Sequence, residues 1–153
     1  MEKEKKVFRS RISVVLVVIL LLPLIVDVVF IHKATYREMY LLGAIYLFII
    51  LTILGIRYVI SDNNLSLKIL WFIPFGGANT ANIVSVKRTF NPLSSLSASF
   101  KRLSIRSKTG FGWMLVSPVR EQEFLDALKE INPDIYIRVS NKTGWWRIWD
   151  WDI

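Results

Sequence analysis

Two long apolar runs open the chain. Ile12 to Ile31 is a 20-residue stretch interrupted only by Ser13, Pro23 and Asp27. Met39 to Ile56 is an 18-residue stretch without a charge. A helix needs about 20 residues to cross ~30 Å of hydrocarbon. The two runs therefore predict transmembrane helices over 12–31 and 39–56. Tyr40 is suited to the interface and Arg57 to snorkelling. Buried core helices are the alternative, but the remaining chain is too small to wrap two helices that are apolar all round. A cleaved signal peptide is another. Its basic n-region is present, yet the apolar core is too long and no small-residue cleavage site follows at Phe30-Ile31-His32-Lys33.

Seven residues, His32 to Glu38, join the runs. So short a loop makes the helices antiparallel and puts both termini on one side. Segment 1–11 holds five Lys/Arg, the loop two, and the chain after Ile56 thirteen. The positive-inside bias then places both termini in the cytoplasm and the loop outside, in a multi-pass protein of the cytoplasmic (inner) membrane. Pro23 lacks an N–H and is expected to kink the first helix. Asp27 is a candidate intramembrane polar site. It lies about one turn from the outer end, so reaching headgroups or Lys33 is its simplest role. A proton relay needs a second buried ionisable group, and neither run has one.

After Ile56 the pattern changes to short apolar stretches separated by turn residues. Arg57 to Ser61 reads as a strand, Asp62-Asn63-Asn64 as a turn. Leu65 to Ile73 begins with alternation and becomes continuously apolar, which predicts a strand that ends buried. Pro74 to Gly77 breaks it, and Asn82 to Arg88 is a further short element. Asn91-Pro92 and Ser94 to Ser99 form a loop. Arg102 to Lys108, Thr109-Gly110 and Gly112 to Val116 read as a hairpin. A helix follows, with Ser117 as cap and Pro118 at its first position. Phe124, Leu125, Leu128 and Ile131 form its apolar stripe, and Asn132-Pro133 ends it. Ile135 to Val139 alternates like a strand, and Ser140 to Gly144 is a turn. The fold class is membrane-anchored α+β.

These residues resemble a known family. Tyr58-Val59-Ile60, Asp62-Asn63 and Leu65 come first. Ile83-Val84-Ser85-Val86-Lys87-Arg88-Thr89-Phe90-Asn91-Pro92 follows, then Ser97 and Arg102-Leu103-Ser104-Ile105. Leu115-Val116-Ser117-Pro118, Phe124, Leu128 and Asn132-Pro133 complete the order. Together they resemble a bacterial PH-domain family of unknown function, over about 57–135, in which a short PH-like module often follows two membrane helices. The resemblance implies two antiparallel sheets packed nearly orthogonally, a β-sandwich or partly open barrel with one end capped by the C-terminal helix. Asn79 to Ala81 would hold a strand-connecting loop. It brings no catalytic residues, and fold analogy does not transfer function. The expected organisation is a basic N-terminus 1–11, two helices with loop 32–38, a PH-like domain 57–134 and a Trp-rich extension 135–153.

Composition removes several chemistries. There is no Cys and a single His, His32. Disulfides, thiol catalysis and thiolate metal sites have no residues to build them, and a single His argues against a His-based zinc site or a Ser-His-Asp triad. Gly76-Gly77 and Gly110-Phe111-Gly112 lack the strand–turn–helix context of a phosphate loop. Glu121 and Glu123 point to different helix faces. No cofactor, metal site or enzymatic activity is expected.

The chain carries 20 Lys+Arg against 12 Asp+Glu. Lys87, Arg88, Lys101, Arg102, Arg106 and Lys108 supply most of the basic cluster. On strand alternation Arg102, Ser104, Arg106 and Lys108 share one face, opposite Leu103 and Ile105. Such a face is a candidate surface for anionic headgroups or a partner, or simply a solvated face. Asp62-Asn63-Asn64, in the loop after the first expected strand, offer no basic inositol-phosphate pocket. No nucleic-acid recognition motif accompanies the charge. Trp145, Trp146, Trp149 and Trp151 crowd the C-terminus. They either pack on the module or press on the bilayer or a partner, with Asp150 and Asp152 unfavourable to an anionic surface.

The sequence thus points to a non-enzymatic binding or scaffold protein of the bilayer, presenting its module to a protein partner or to itself. Two alternatives remain open. One is an anionic-lipid sensor using the basic face and Trp tail. The other is an accessory subunit of a transport or secretion assembly, with Asp27 and Pro23 inside a larger bundle.

Overall fold

The computed structural model describes residues 5–30, 36–89, 99, 101–109 and 113–140. A short strand, β1 (Lys6–Arg9), precedes two helices, α1 (Val14–Phe30) and α2 (Tyr36–Leu54). Strands β2 (Arg57–Ser61), β3 (Asn64–Ile69) and β4 (Ile73–Asn79) follow, and a 3-10 turn over Thr80–Asn82 leads to β5 (Ile83–Thr89). Strands β6 (Arg102–Ser107) and β7 (Trp113–Val116), helix α3 (Glu121–Ile131) and strand β8 (Tyr136–Arg138) complete the order. One sheet runs β1-β2-β3-β4 and the other β7-β6-β5-β8. All pairings are antiparallel except β5 with β8.

Strand alternation explains the core. Phe8, Tyr58, Ile60, Leu65 and Leu67 come from the first sheet, and Ile83, Val86, Leu103, Ile105 and Val116 from the second. Phe124, Leu125, Ala127 and Leu128 of α3 join the same cluster. The helix stripe expected from sequence is thus the buried one, with Ile131 partly buried beside it. Phe124 is the hub: its ring meets Phe8 edge-on at 5.3 Å and Tyr58 at 6.2 Å.

The segment expected to be a plain basic N-terminus is part of the domain. Residues Lys6 to Arg9 pair with Ile60 to Arg57. The basic residues conceal the strand, because only Val7 and Phe8 are apolar within it. The two helices are therefore an insertion between paired strands. Ser10 N donates to the Ile56 carbonyl at 3.3 Å, closing the ladder across 45 intervening residues.

Helix boundaries also move inward. Ile56 is buried in the domain core rather than ending a membrane run. Ser13 is fully buried, and α1 starts after it. Among the described residues one helix, α2 with 19 residues, is long and apolar enough to cross a membrane. Helix α1 has 17 residues and contains Pro23. Both expose large apolar side chains, including Val18, Ile19, Leu22 and Ile25 in α1 and Leu41, Ile45, Leu47 and Phe48 in α2.

Two further expectations change. The apolar run ending at Ile73 does not end buried: β3 stops at Ile69, and Trp71 and Phe72 lie in an exposed turn. Ser117 and Pro118 do not start the last helix. Ser117 accepts from Arg11 N through its carbonyl at 2.6 Å, and Pro118 bridges Ser10. These contacts hold the segment extended, so α3 begins three residues later. Ile135 is core, and β8 adds to the second sheet rather than to a separate extension.

Replacing residues 12–54 by a Gly/Ser linker of about four residues, the length of an ordinary hairpin loop, is expected to give a soluble domain with cooperative unfolding. The same protein lacking residues 1–11 is expected to lose it. Circular dichroism during urea titration checks both.

Candidate functional site

Two surfaces of the domain carry chemistry. The first is the end from which the helices leave. Its anchor is Tyr58, fully buried. The Tyr58 hydroxyl lies 3.1 Å from Ser10 Oγ and accepts from Ser117 N at 3.0 Å. Val119 N donates to the Arg9 carbonyl at 3.0 Å. The start of α1, the end of α2 and the exit of β7 are thereby tied into one base.

Cations surround that base. Arg9, Arg57 and Lys68 are direct cross-strand neighbours on one row of the first sheet. Arg57 Nη1 donates to the carbonyls of Leu54 and Ile56 at 2.8 and 2.9 Å, capping the C-terminus of α2, where the dipole favours a positive charge. Burial, and then the neighbouring charge of Arg9, lower the Arg57 pKa from its ordinary value. Arg11 donates to the Val119 carbonyl at 3.1 Å. Arg120 sits over the Phe8 ring, 5.6 Å from its centre.

The second surface is the outward face of the second sheet. Residues opposite each other in a ladder share a face, and next-but-one neighbours on a strand share it too. The register Ser85–Arg106, Lys87–Ser104, Arg106–Trp113 and Lys87–Arg138 therefore gathers Lys87, Arg106, Arg138 and Trp113 on one face, with Tyr136 opposite Ser85. Trp113 and Tyr136 are more than half exposed. The opposite face holds Val86, Leu103 and Ile105. This arrangement offers cations beside flat aromatic surfaces, which suits an acidic protein segment.

The residues singled out in the sequence divide accordingly. Lys87 and Arg106 meet on this face. Arg102 falls on the same face by register but is covered there: it is 2% exposed and donates from Nε to the Ser99 carbonyl, and burial lowers its pKa. Arg88, on the opposite face beside Leu103, is turned inward, with a side chain 4% exposed that pairs with Glu121 of α3. Lys108 is exposed at the opposite end from the helices, where its backbone N donates to Asn82. The Asp62-Asn63 turn is at that end too, through Thr80 N and the Asn63 carbonyl. A lipid contact shared by Arg102, Arg106 and Lys108 needs all three exposed, and Arg102 is covered.

Trp145, Trp146, Trp149 and Trp151 lie outside the described residues. Asp27 is in α1. Among the described residues no group of His, Asp and Glu side chains is placed to hold a metal. Tyr136 and Arg138 escaped the sequence reading because their alignment depends on β5 pairing with β8 across the sheet, whereas Trp113 faces Arg106 across the expected β6–β7 hairpin. The exposed alternation of Tyr136 and Arg138 is the signal that could have found them.

Glu121→Ala leaves the buried Arg88 guanidinium without its anion, so a loss of ~3 kcal/mol is expected, as for other broken buried pairs. Arg88→Met is expected to cost much less, since it removes the charge as well. Urea unfolding of the soluble domain separates the two.

A family model described as a bacterial PH domain matches residues 56–132. No curated protein and no solved structure matches the chain.

Proposed function

The chain belongs to the bacterial PH-domain family, and from that premise we propose that it is a non-enzymatic binding module fixed to the cytoplasmic membrane by α1 and α2. The observation that carries this reading is the insertion itself. Two helices with exposed apolar sides leave the domain between strands that pair with each other. Such an anchor has little freedom relative to its module. The domain is held at a set height and orientation instead of swinging on a flexible linker.

The module's working surface is the outward face of the second sheet. Lys87, Arg106 and Arg138 supply charge, and Trp113 and Tyr136 supply rigid contact area. The partner is a protein with an acidic contact segment, itself in or near the membrane. Confinement to the bilayer raises the effective concentration of both, so a weak contact suffices. PH domains are binding modules, which supports this reading over a catalytic one.

The chain has no Cys, so single-Cys variants report topology cleanly. Thr35→Cys is expected to react with a membrane-impermeant maleimide added to intact cells. Asn63→Cys is expected to react only after lysis. Labelling of Asn63→Cys in intact cells would overturn the orientation, and recovery of the chain in the soluble fraction would overturn the anchor. For the partner surface, a photo-crosslinker at Trp113 is expected to capture a stoichiometric membrane protein. The capture should fall several-fold in Lys87→Glu/Arg106→Glu. Equal capture in that variant would refute the assigned face.

A further inference from the structure

We propose that the β3–β4 turn is a second membrane contact, an aromatic wedge that enters the boundary between lipid headgroups and acyl chains. The proposal rests on the membrane-anchor reading of α2 and adds a distinct site to it.

The turn is unusually apolar for an exposed hairpin tip. Trp71 is 48% exposed, Phe72 71%, Ile73 40% and Phe75 58%. Hairpin tips in water carry Gly, Asn or Asp, because those residues tolerate positive φ. Here Leu70 and Trp71 adopt φ of 48° and 68°. Bulky residues in that region are uncommon, and such a conformation persists only where its surroundings hold it.

What holds it is the exit of α2. Trp71 N donates to the Gly55 carbonyl at 2.9 Å. Gly55 follows the last helical residue, Leu54. A Cβ on Gly55 would stand 2.6 Å from Leu70 Cα, so only glycine lets the turn lie against the helix end. The tip is thereby fixed at the level where α2 leaves the domain. Strand direction says the same. In the meander β1-β2-β3-β4 the helix insertion and the β3–β4 turn share one end, and the Asp62-Asn63 turn has the other.

Charge completes the site. The row Arg9–Arg57–Lys68 crosses the sheet one residue from the tip, since Lys68 pairs with Pro74. Like charges directly opposite one another repel. No carboxylate pairs with these three among the described residues. Lipid phosphates would relieve that repulsion while the aromatic tip sits just below them, the depth that Trp favours. The bilayer that holds α2 is the occupant, because the tip is continuous with that helix through Gly55.

The test uses the full-length chain in phosphatidylcholine–phosphatidylglycerol vesicles carrying spin labels at a shallow or a deep acyl position. An environment-sensitive fluorophore is placed at Phe72→Cys, at Phe48→Cys in α2, or at Asn63→Cys in the far turn. The Phe72 probe is expected to be quenched several-fold more by shallow than by deep labels, and the Asn63 probe by neither. The Phe48 probe should respond most to deep labels. Deep quenching at Phe48 with Phe72 no more quenched than Asn63 overturns the wedge and leaves the anchor standing. Quenching at Phe72 alone supports the wedge as a peripheral contact and removes the transmembrane reading. Quenching at neither removes both. Near-native circular dichroism of each variant excludes misfolding as the cause.

Discussion

The β1–β2 ladder is the constraint on which the rest depends. Four residues before the helices pair with four after them, and Ser10 N reaches the Ile56 carbonyl. A loop of this size would ordinarily cost closure entropy that grows slowly with its length. Here the helices order the insertion, and the burial of Phe8 and Tyr58 against Phe124 offsets the closure. The Tyr58 hydroxyl then connects Ser10 with Ser117 in the dry interior, where an unmet polar group would be costly. The helix ends, the first sheet and the entry to α3 are consequently tied together.

That coupling has consequences for function. A module on a flexible tail samples many orientations, and its partner contacts carry an entropic cost. A module whose own strands bracket the helices presents a fixed face. The base of the domain, with Arg9, Arg57 and the Trp71–Phe72 turn, faces the same way as the helix ends. The outward face of the second sheet, with Lys87, Arg106 and Trp113, is built on β5, β6 and β7. These two surfaces draw on different sheets, so the proposed lipid contact and the proposed partner contact use different side chains.

Basic residues in this chain do several unrelated jobs, and burial sorts them. Arg88 joins β5 to α3 through Glu121. Arg102 satisfies a loop carbonyl at the start of β6. Arg57 caps α2. Lys6 reaches Glu130 on α3. A basic cluster read in one dimension therefore overstates the charge on offer. The cations left on open faces are fewer, and they include the row Arg9–Arg57–Lys68 and the group Lys87, Arg106 and Arg138.

Local pattern alone determined the two apolar helices, strands β2, β3, β6 and β7, and the buried stripe of α3. In each, the period of apolar residues matches the period of the element, so neighbours along the chain carry the information. The PH-like arrangement was likewise legible from ordered short motifs. Tertiary structure alone decided that Lys6 to Arg9 form a strand, since nothing in that basic segment signals its partner some fifty residues on. It decided that Ile56 belongs to the core, that Trp71 and Phe72 lie outside it, that Arg88 turns inward and that Arg102 is covered by the segment at Ser99. It also assembled Tyr136 and Arg138 beside Lys87 and Ser85. The physical reason is common to all of these. Which face of a strand meets water depends on what packs against it, and that neighbour is supplied by a distant part of the chain.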